Sequence, residues 1–386
     1  MAESRSAGER RRVALVIETS NQYGRGLLQG VGRFVREHGG WTVTLMEGGR
    51  GDGGAAHLAD WSGDGILARV ENPRIAAAVA CAGVPTVDLS AARLLPGLPW
   101  VETDDRAIAE LALRHLRERG FRAFGFLADR RFAWSGQRGR HFATLLAAEG
   151  LPCSQHAVSA ALPVARSRAA TAAWLQAQQF PLAVFCAYDP LGHHLLEVAR
   201  GLDIQVPEQL AVLGVDDDAV LCALGDPPLS SIRPDAEGAG HAAAALLARG
   251  MAGAKLAPQG LLLAPLGIAE RASTDGVAVA APQLRSALAL AQARACDGIG
   301  IPALVRAAGL SRQVLDRRCR QLLGRSMKEE LDRIRLRRVR ELLLATELPV
   351  AEIARRTGFA HPEYLGVMWR RHTGSSPAAW RKRAAS

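Results

Sequence analysis

Cysteine is scarce and scattered: six in 386 residues, with no two closer than 23 positions. Neither a zinc-ligand spacing nor a thiol-disulfide motif can be drawn from them, so they read as small core residues of a reducing compartment. Long apolar runs are absent as well. The first, Val13 to Ile17, has five residues, too few for a signal peptide, and no uncharged stretch approaches the 18 needed for a membrane span. The expected location is the cytoplasm, with no membrane partner. Two enzyme signatures are missing, the Gly-x-Ser-x-Gly elbow and the paired-histidine helix motif. His193 and His194 are adjacent, so on a helix they point in different directions, and no metal is expected. A chain of this length predicts two or three domains and buries enough surface to fold without staples.

Acidic residues are depleted at one end only. From Ala281 onward there are 21 Lys and Arg against nine Asp and Glu, about +12, while the first 280 residues carry 27 against 29. A basic module on a near-neutral body is the footprint of nucleic-acid binding, although an anionic membrane surface would attract the same charge.

The body alternates strand and helix patterns. Val13–Ile17 is followed by Gly26–Glu37, which places Leu27, Val31, Phe34 and Val35 on one helical face. Further aliphatic runs lie at Trp41–Met46, Gly65–Val70, Pro85–Leu89, Phe121–Leu127, Leu182–Ala187 and Leu210–Val215, as in parallel sheets covered on both faces. The pattern predicts two α/β lobes, the second beginning near Arg122, with Leu261–Ile268 as the last strand of the body. Residues 1–12 are expected to form a disordered tail, 13–270 the two-lobed domain, 271–282 a linker and 283–386 a separate helical domain.

Open α/β sheets bind ligands at the carboxyl ends of their strands. Those ends carry Asn21, Tyr23 and Arg25 after the first run, Asp189 after Ala187, and Asp216, Asp217 and Asp218 after Val215. Such donors and acceptors suit a neutral polyhydroxylated ligand, with Trp134 available to cover an apolar sugar face. The competing reading is a nicotinamide-dependent oxidoreductase, since Gly24, Gly26 and Gly30 precede or open a helix and Glu47 follows the second strand. The spacing departs from the dinucleotide fingerprint: Glu18–Tyr23 intervene, and the third glycine is one position late.

Beyond residue 282 the pattern is helical and internally repeated. Ile301–Arg312 and Val350–His361 both read helix, glycine turn, helix, with Gly309 matching Gly358, and Gly324 and Gly374 closing the second helices. Two consecutive helix-turn-helix units follow, each placing its second helix in a major groove. Between them Ser326 and Glu329 form a capping box opening a helix to about Thr346, with Leu331, Ile334, Leu342 and Leu343 inward. About 20 helical residues span roughly 30 Å, close to one turn of B-DNA.

This double repeat resembles the AraC/XylS-type transcription-factor domain, through Tyr364-Leu365, Trp369-Arg370-Arg371, Gly374-Ser375-Ser376-Pro377 and Trp380-Arg381. The body resembles the LacI/periplasmic sugar-binding fold through Tyr23-Gly24-Arg25, Trp134 with Arg138 and Phe142, Asp189, Val206-Pro207-Glu208, Leu213–Asp217 and Leu229–Ile232. The resemblance implies a sugar-responsive regulator, an activator acting as a homodimer on double-stranded operator DNA, with a monosaccharide effector, RNA polymerase as a further partner and no cofactor. It implies that Arg25, Arg138, Asp189 and Asp216 hold sugar hydroxyls beside Tyr23, Asn21 and Trp134. In the first unit Ser311, Arg312, Gln313, Asp316 and Arg317 would face bases, with Arg320 and Arg325 on the backbone; in the second, His361, Glu363, Arg370 and Arg371 meet DNA. Gly366-Val367 stands where the pattern commonly has Ser-Arg, which leaves the second helix phosphate contacts and gives the first most of the base reading. A DNA-architectural protein with an idle α/β body is the remaining alternative.

Overall fold

The computed structural model describes residues 10–46, 58, 61–159, 163–275 and 282–384. The chain divides into two compact units, one ending near Gly276 and one comprising the helical C-terminal region. Residues 1–9 of the expected tail, Glu47, and residues 276–281 of the expected linker lie outside the described residues.

The first unit holds two six-stranded sheets. Strands β1 (Arg11–Val16), β2 (Trp41–Leu45), β3 (Gly65–Ala68), β4 (Thr86–Asp88), β5 (Trp100–Thr103) and β11 (Gly260–Leu263) form one, in the order β11-β5-β4-β3-β1-β2. The second contains β6 (Ala123–Asp129), β7 (Cys153–Val158), β8 (Leu182–Cys186), β9 (Leu210–Val215), β10 (Ser230–Arg233) and β12 (Gly267–Ala269), in the order β12-β10-β9-β8-β6-β7. Every pairing is parallel except β10 with β12. The fully buried strands β8 and β9 are the continuous aliphatic runs that a two-sided cover demands.

Four boundaries differ from expectation. Arg11 and Arg12 already pair with Trp41 and Thr42, so the tail ends sooner. The run Leu261–Ile268 is two strands, one in each sheet, broken at residues 264–266, and the second opens at Gly267, whose φ of 125° only glycine adopts readily. Helix α3 (Asp105–Glu118) is tied to the second lobe by His115, whose ring meets the Thr274 hydroxyl at 2.9 Å, so that lobe opens before Arg122. Residues 271–275 are body and not linker: Ser273 accepts from the Ser230 amide and donates to the Val212 carbonyl, and both Ser273 and Thr274 are buried. Hydrogen bonds made outside the aliphatic pattern decided that end, and periodicity does not report them.

Helix α1 (Gln22–His38) starts where the Asn21 side chain accepts from the Gly24 amide, a cap worth about 1 kcal/mol. Its apolar face of Leu27, Val31 and Phe34 packs on α8 (Ala236–Met251) through Ala239, Ala243 and Leu247. The two backbones approach so closely that a Cβ on Gly30 would lie 2.0 Å from the Glu237 carbonyl oxygen, and one on Gly240 2.0 Å from that of Leu27. One on Gly26 would meet the Ala236 side chain at 2.7 Å. Gly26 and Gly30 of the cluster that suggested a dinucleotide site therefore serve helix packing, while Gly24 sits against the Glu18 carbonyl.

The second unit is all helical: α9 (Pro282–Arg294), α10 (Ile301–Ala308), α11 (Arg312–Leu323), α12 (Met327–Ala345), α13 (Val350–Arg356), α14 (Pro362–Thr373) and α15 (Pro377–Ala384). The N-terminal half of α12 closes one core with α9, α10 and α11, through Leu284, Leu304, Leu315, Met327 and Leu331. Its C-terminal half closes another with α13 and α14, through Val339, Leu343, Ile353, Leu365 and Trp369. The capping box is present, Ser326 accepting from the Glu329 amide and the Glu329 carboxylate from the Ser326 amide.

Candidate functional site

A narrow cleft opens between the lobes at the strand ends, with about 20 Å³ of water-accessible space, lined by Tyr23, Arg69, Glu102, Thr103, Asp105, Trp134, Arg138 and Asp216. Of the residues expected from the sequence, Tyr23, Trp134, Arg138 and Asp216 come together there.

Tyr23 lies in the first turn of α1 and donates its hydroxyl to Glu102 Oε1 at 3.1 Å. Arg69, just beyond β3, stacks 5.2 Å from the Tyr23 ring and is clamped between the buried carboxylates of Glu18 and Glu71. Arg138, on α4 (Ala133–Ala148), donates through Nε to Asp105 at 2.8 Å and through another guanidinium nitrogen to the Ala187 carbonyl. Its guanidinium lies 5.3 Å from the Trp134 ring, which is itself stacked on Phe132 at 5.2 Å. Asp216 and Asp217 have φ of 107° and 51°, a rare pair of left-handed residues. Arg271 grips Asp217 at 2.7 Å while Ser231 accepts from its amide, and this holds the strained turn that brings Asp216 to the cavity wall.

The electrostatics are self-neutralising. Two guanidiniums face three carboxylates, and each guanidinium already has carboxylate partners. Burial, with Asp105 adding to it, pushes the Glu102 carboxyl up to about 8. Burial and then Glu102 raise the Tyr23 phenol. An anion entering here meets no unneutralised cation, whereas hydroxyl groups find donors and acceptors side by side.

Three expected ligand residues do other work. Asn21 caps α1 and donates to Glu18 at 2.8 Å. Arg25 turns to Asp218, Gln22 and the Thr19 carbonyl. Asp189 is fully buried beneath the loop, accepting from Ser231 at 2.6 Å and from the Asp218 amide at 2.7 Å. Arg69, Glu102, Thr103 and Asp105 also line the cleft without having been expected; Arg69 follows β3, Glu102 and Thr103 are the last two residues of β5 and Asp105 lies just beyond it, the same positional signal in runs interrupted by polar residues. His194 meets the Thr171 hydroxyl at 3.0 Å, and among the described residues no three His, Cys, Asp or Glu are placed to hold a metal.

In the helical unit, α11 exposes Arg312, Gln313, Arg317 and Arg320, preceded by exposed Ser311, whose hydroxyl accepts from the Val314 amide as the N-cap. Asp316 does not face outward as expected for a base contact: its carboxylate accepts from the Met327 amide at 3.1 Å and ties α11 to α12. Arg325 is drawn to the buried Glu330 at 3.1 Å, away from the role of a backbone contact. Helix α14 exposes Glu363, Arg370 and Arg371, with His361 exposed at its N-cap. Gly309, Gly324 and Gly374 all cap helices in the left-handed conformation, the turn geometry expected of the repeat.

Comparison with known proteins agrees with this division. Residues 12–106 match the XylR N-terminal domain family, 113–274 the periplasmic binding protein-like domain family, and 304–383 the helix-turn-helix domain family. The chain is a transcriptional regulator joining a periplasmic-binding-protein-like domain of LacI type to an AraC-type helix-turn-helix DNA-binding domain; it is not an enzyme, and the oxidoreductase reading falls. Over its whole length it is built like the bacterial xylose operon regulatory proteins. That of Escherichia coli K12 is 28% identical, with 97% of each chain covered, and that of Haemophilus influenzae is 24% identical, covering 96% of this chain and 98% of the relative. A solved structure of the xylose-binding transcription activator xylR superposes with a TM-score of 0.71 at 26% identity, covering 98% of this chain and 99% of that one.

Proposed function

We propose that the chain is a cytoplasmic sugar sensor that acts as a homodimer on operator DNA and activates a carbohydrate catabolism operon, with xylose or another pentose as effector. The observation that carries the sugar reading is the cavity itself: small, walled by Trp134 and Tyr23, rich in paired donors and acceptors, and without a spare positive charge. The names of the relatives, which refer to xylose and to activation, favour the pentose and the sign of regulation. A ligand held by both lobes stabilises the closed arrangement to the extent that it binds that arrangement better, and closure is then passed to the DNA-binding domain, with recruitment of RNA polymerase as the output.

The test is a thermal-shift panel on the purified protein with pentoses, hexoses, uronic acids and nicotinamide cofactors, because any native-state ligand raises the melting temperature. A neutral pentose should shift it and the uronic acids should not. A shift by a uronic acid in preference to every neutral sugar would overturn the reading of the cavity.

A further inference from the structure

The second helices of the two helix-turn-helix units align with a constant offset in sequence. Buried Leu315 and Cys319 of α11 correspond to buried Leu365 and Trp369 of α14, and the left-handed caps Gly324 and Gly374 keep the same spacing of fifty residues. Gln313 then corresponds to Glu363, Arg320 to Arg370, and Arg317 to Val367. At about 100° per residue, Val367 lies roughly opposite both Leu365 and Trp369, at the centre of the outward face of α14. Its exposure of 63% agrees with that placement. Arg370 and Arg371 flank it on the same surface.

An isopropyl group on the summit of a solvated, basic helix has nothing to gain from water. In a major groove it meets one apolar feature, the 5-methyl of thymine, which separates that base from the other three. We infer that Val367 reads the 5-methyl group of a thymine in the half-site bound by the second unit, from the position that Arg317 occupies in the first unit. The inference rests on the DNA-binding reading and deepens it: the two halves of one protomer's site differ in chemistry, one polar and one apolar, and the second helix contributes base selection as well as phosphate contacts.

The full-length protein first selects its preferred duplex from a random pool. Each thymine of the selected site is then replaced by deoxyuridine, which removes the methyl group alone, and Kd is measured by fluorescence anisotropy. At one thymine in the second half the wild type should weaken about fourfold, the worth of one buried methyl group. Val367→Ala should bind thymine and uracil equally at that position, and Val367→Arg should select guanine there. Equal binding of every uracil-substituted site by the wild type, or undiminished discrimination in Val367→Ala, overturns the inference. Failure of the pool to yield any preferred sequence would instead overturn the DNA-reading role and this inference with it, an outcome distinguishable from a selected site that ignores the methyl.

Discussion

The Arg25 guanidinium and the Asp218 carboxylate meet at 2.8 Å although 193 residues separate them, so the first helix of one lobe is tied to the cleft loop of the other. Arg25 is two-fifths exposed, which limits such a pair to about 0.2–1 kcal/mol. That is enough to bias a hinge.

The pair should act as a latch on the closed form. Asp218→Asn keeps the oxygen that caps Val220 and Leu221 while removing the charge. We expect Arg25→Ala and Asp218→Asn each to weaken sugar affinity about twofold to fivefold, and the double variant to be no weaker than either, as measured by calorimetry. If Arg25 held the sugar directly, its loss would far exceed that of Asp218→Asn and the two would add.

Asp189 should behave as a structural residue. Asp189→Ala strands the Ser231 hydroxyl and the Asp218 amide without an acceptor, at about 1–3 kcal/mol for each buried donor. Melting should fall by roughly 5–10 °C, while Arg138→Ala, beside the cavity, abolishes the sugar-induced shift. Intact melting of Asp189→Ala with lost sugar binding would return Asp189 to the ligand.

The contrast between these residues shows what a sequence can and cannot disclose. Strand ends are legible because aliphatic runs stop there, and this rule found Tyr23 and Asp216. It could not separate a side chain at the cavity wall from one such as Asp189 that turns inward beneath the same loop, because both follow the same kind of run. Arg69 and Glu102 were hidden because the aliphatic run around Arg69 resumes at Val70 and Glu102 lies inside its strand, and only the folded sheet shows which way each points. The double helix-turn-helix was fully legible, since its signal is a repeat with two fixed glycine positions in each copy. Asp316 was misread because the acceptor it satisfies for the Met327 amide is a tertiary relation with no periodicity.

Glu102 makes stability depend on pH. Burial raises its folded-state value to about 8 from an ordinary one near 4.5, so the protonated form is favoured in the fold. Its contribution is fully present below about 4.5 and is lost as pH rises to about 8. Glu102→Gln removes the titration, so urea midpoints for this variant should fall less between pH 5 and pH 9 than those of the wild type. Asp88, raised by burial to about 6, and Asp189, raised further by burial, continue to titrate in both proteins and contribute to the residual slope. Parallel pH profiles for the two proteins would show that Glu102 is ionised throughout.

Arg317, Arg370 and Arg371 should separate base reading from charge. Arg317 is exposed on the summit of α11, so Arg317→Ala should cost about 1–3 kcal/mol at the preferred sequence and relax selection at one base pair. Arg370→Ala and Arg371→Ala should weaken all duplexes alike and reduce the slope of log K against log salt by about 0.9 each, because each removes one phosphate contact and the counterion it releases. Binding titrations at several salt concentrations, on the preferred duplex and on an unrelated one, measure both quantities together. A salt slope that drops for Arg317→Ala, with selectivity unchanged, would place that side chain on the backbone and leave Val367 opposite a neighbour that reads no base.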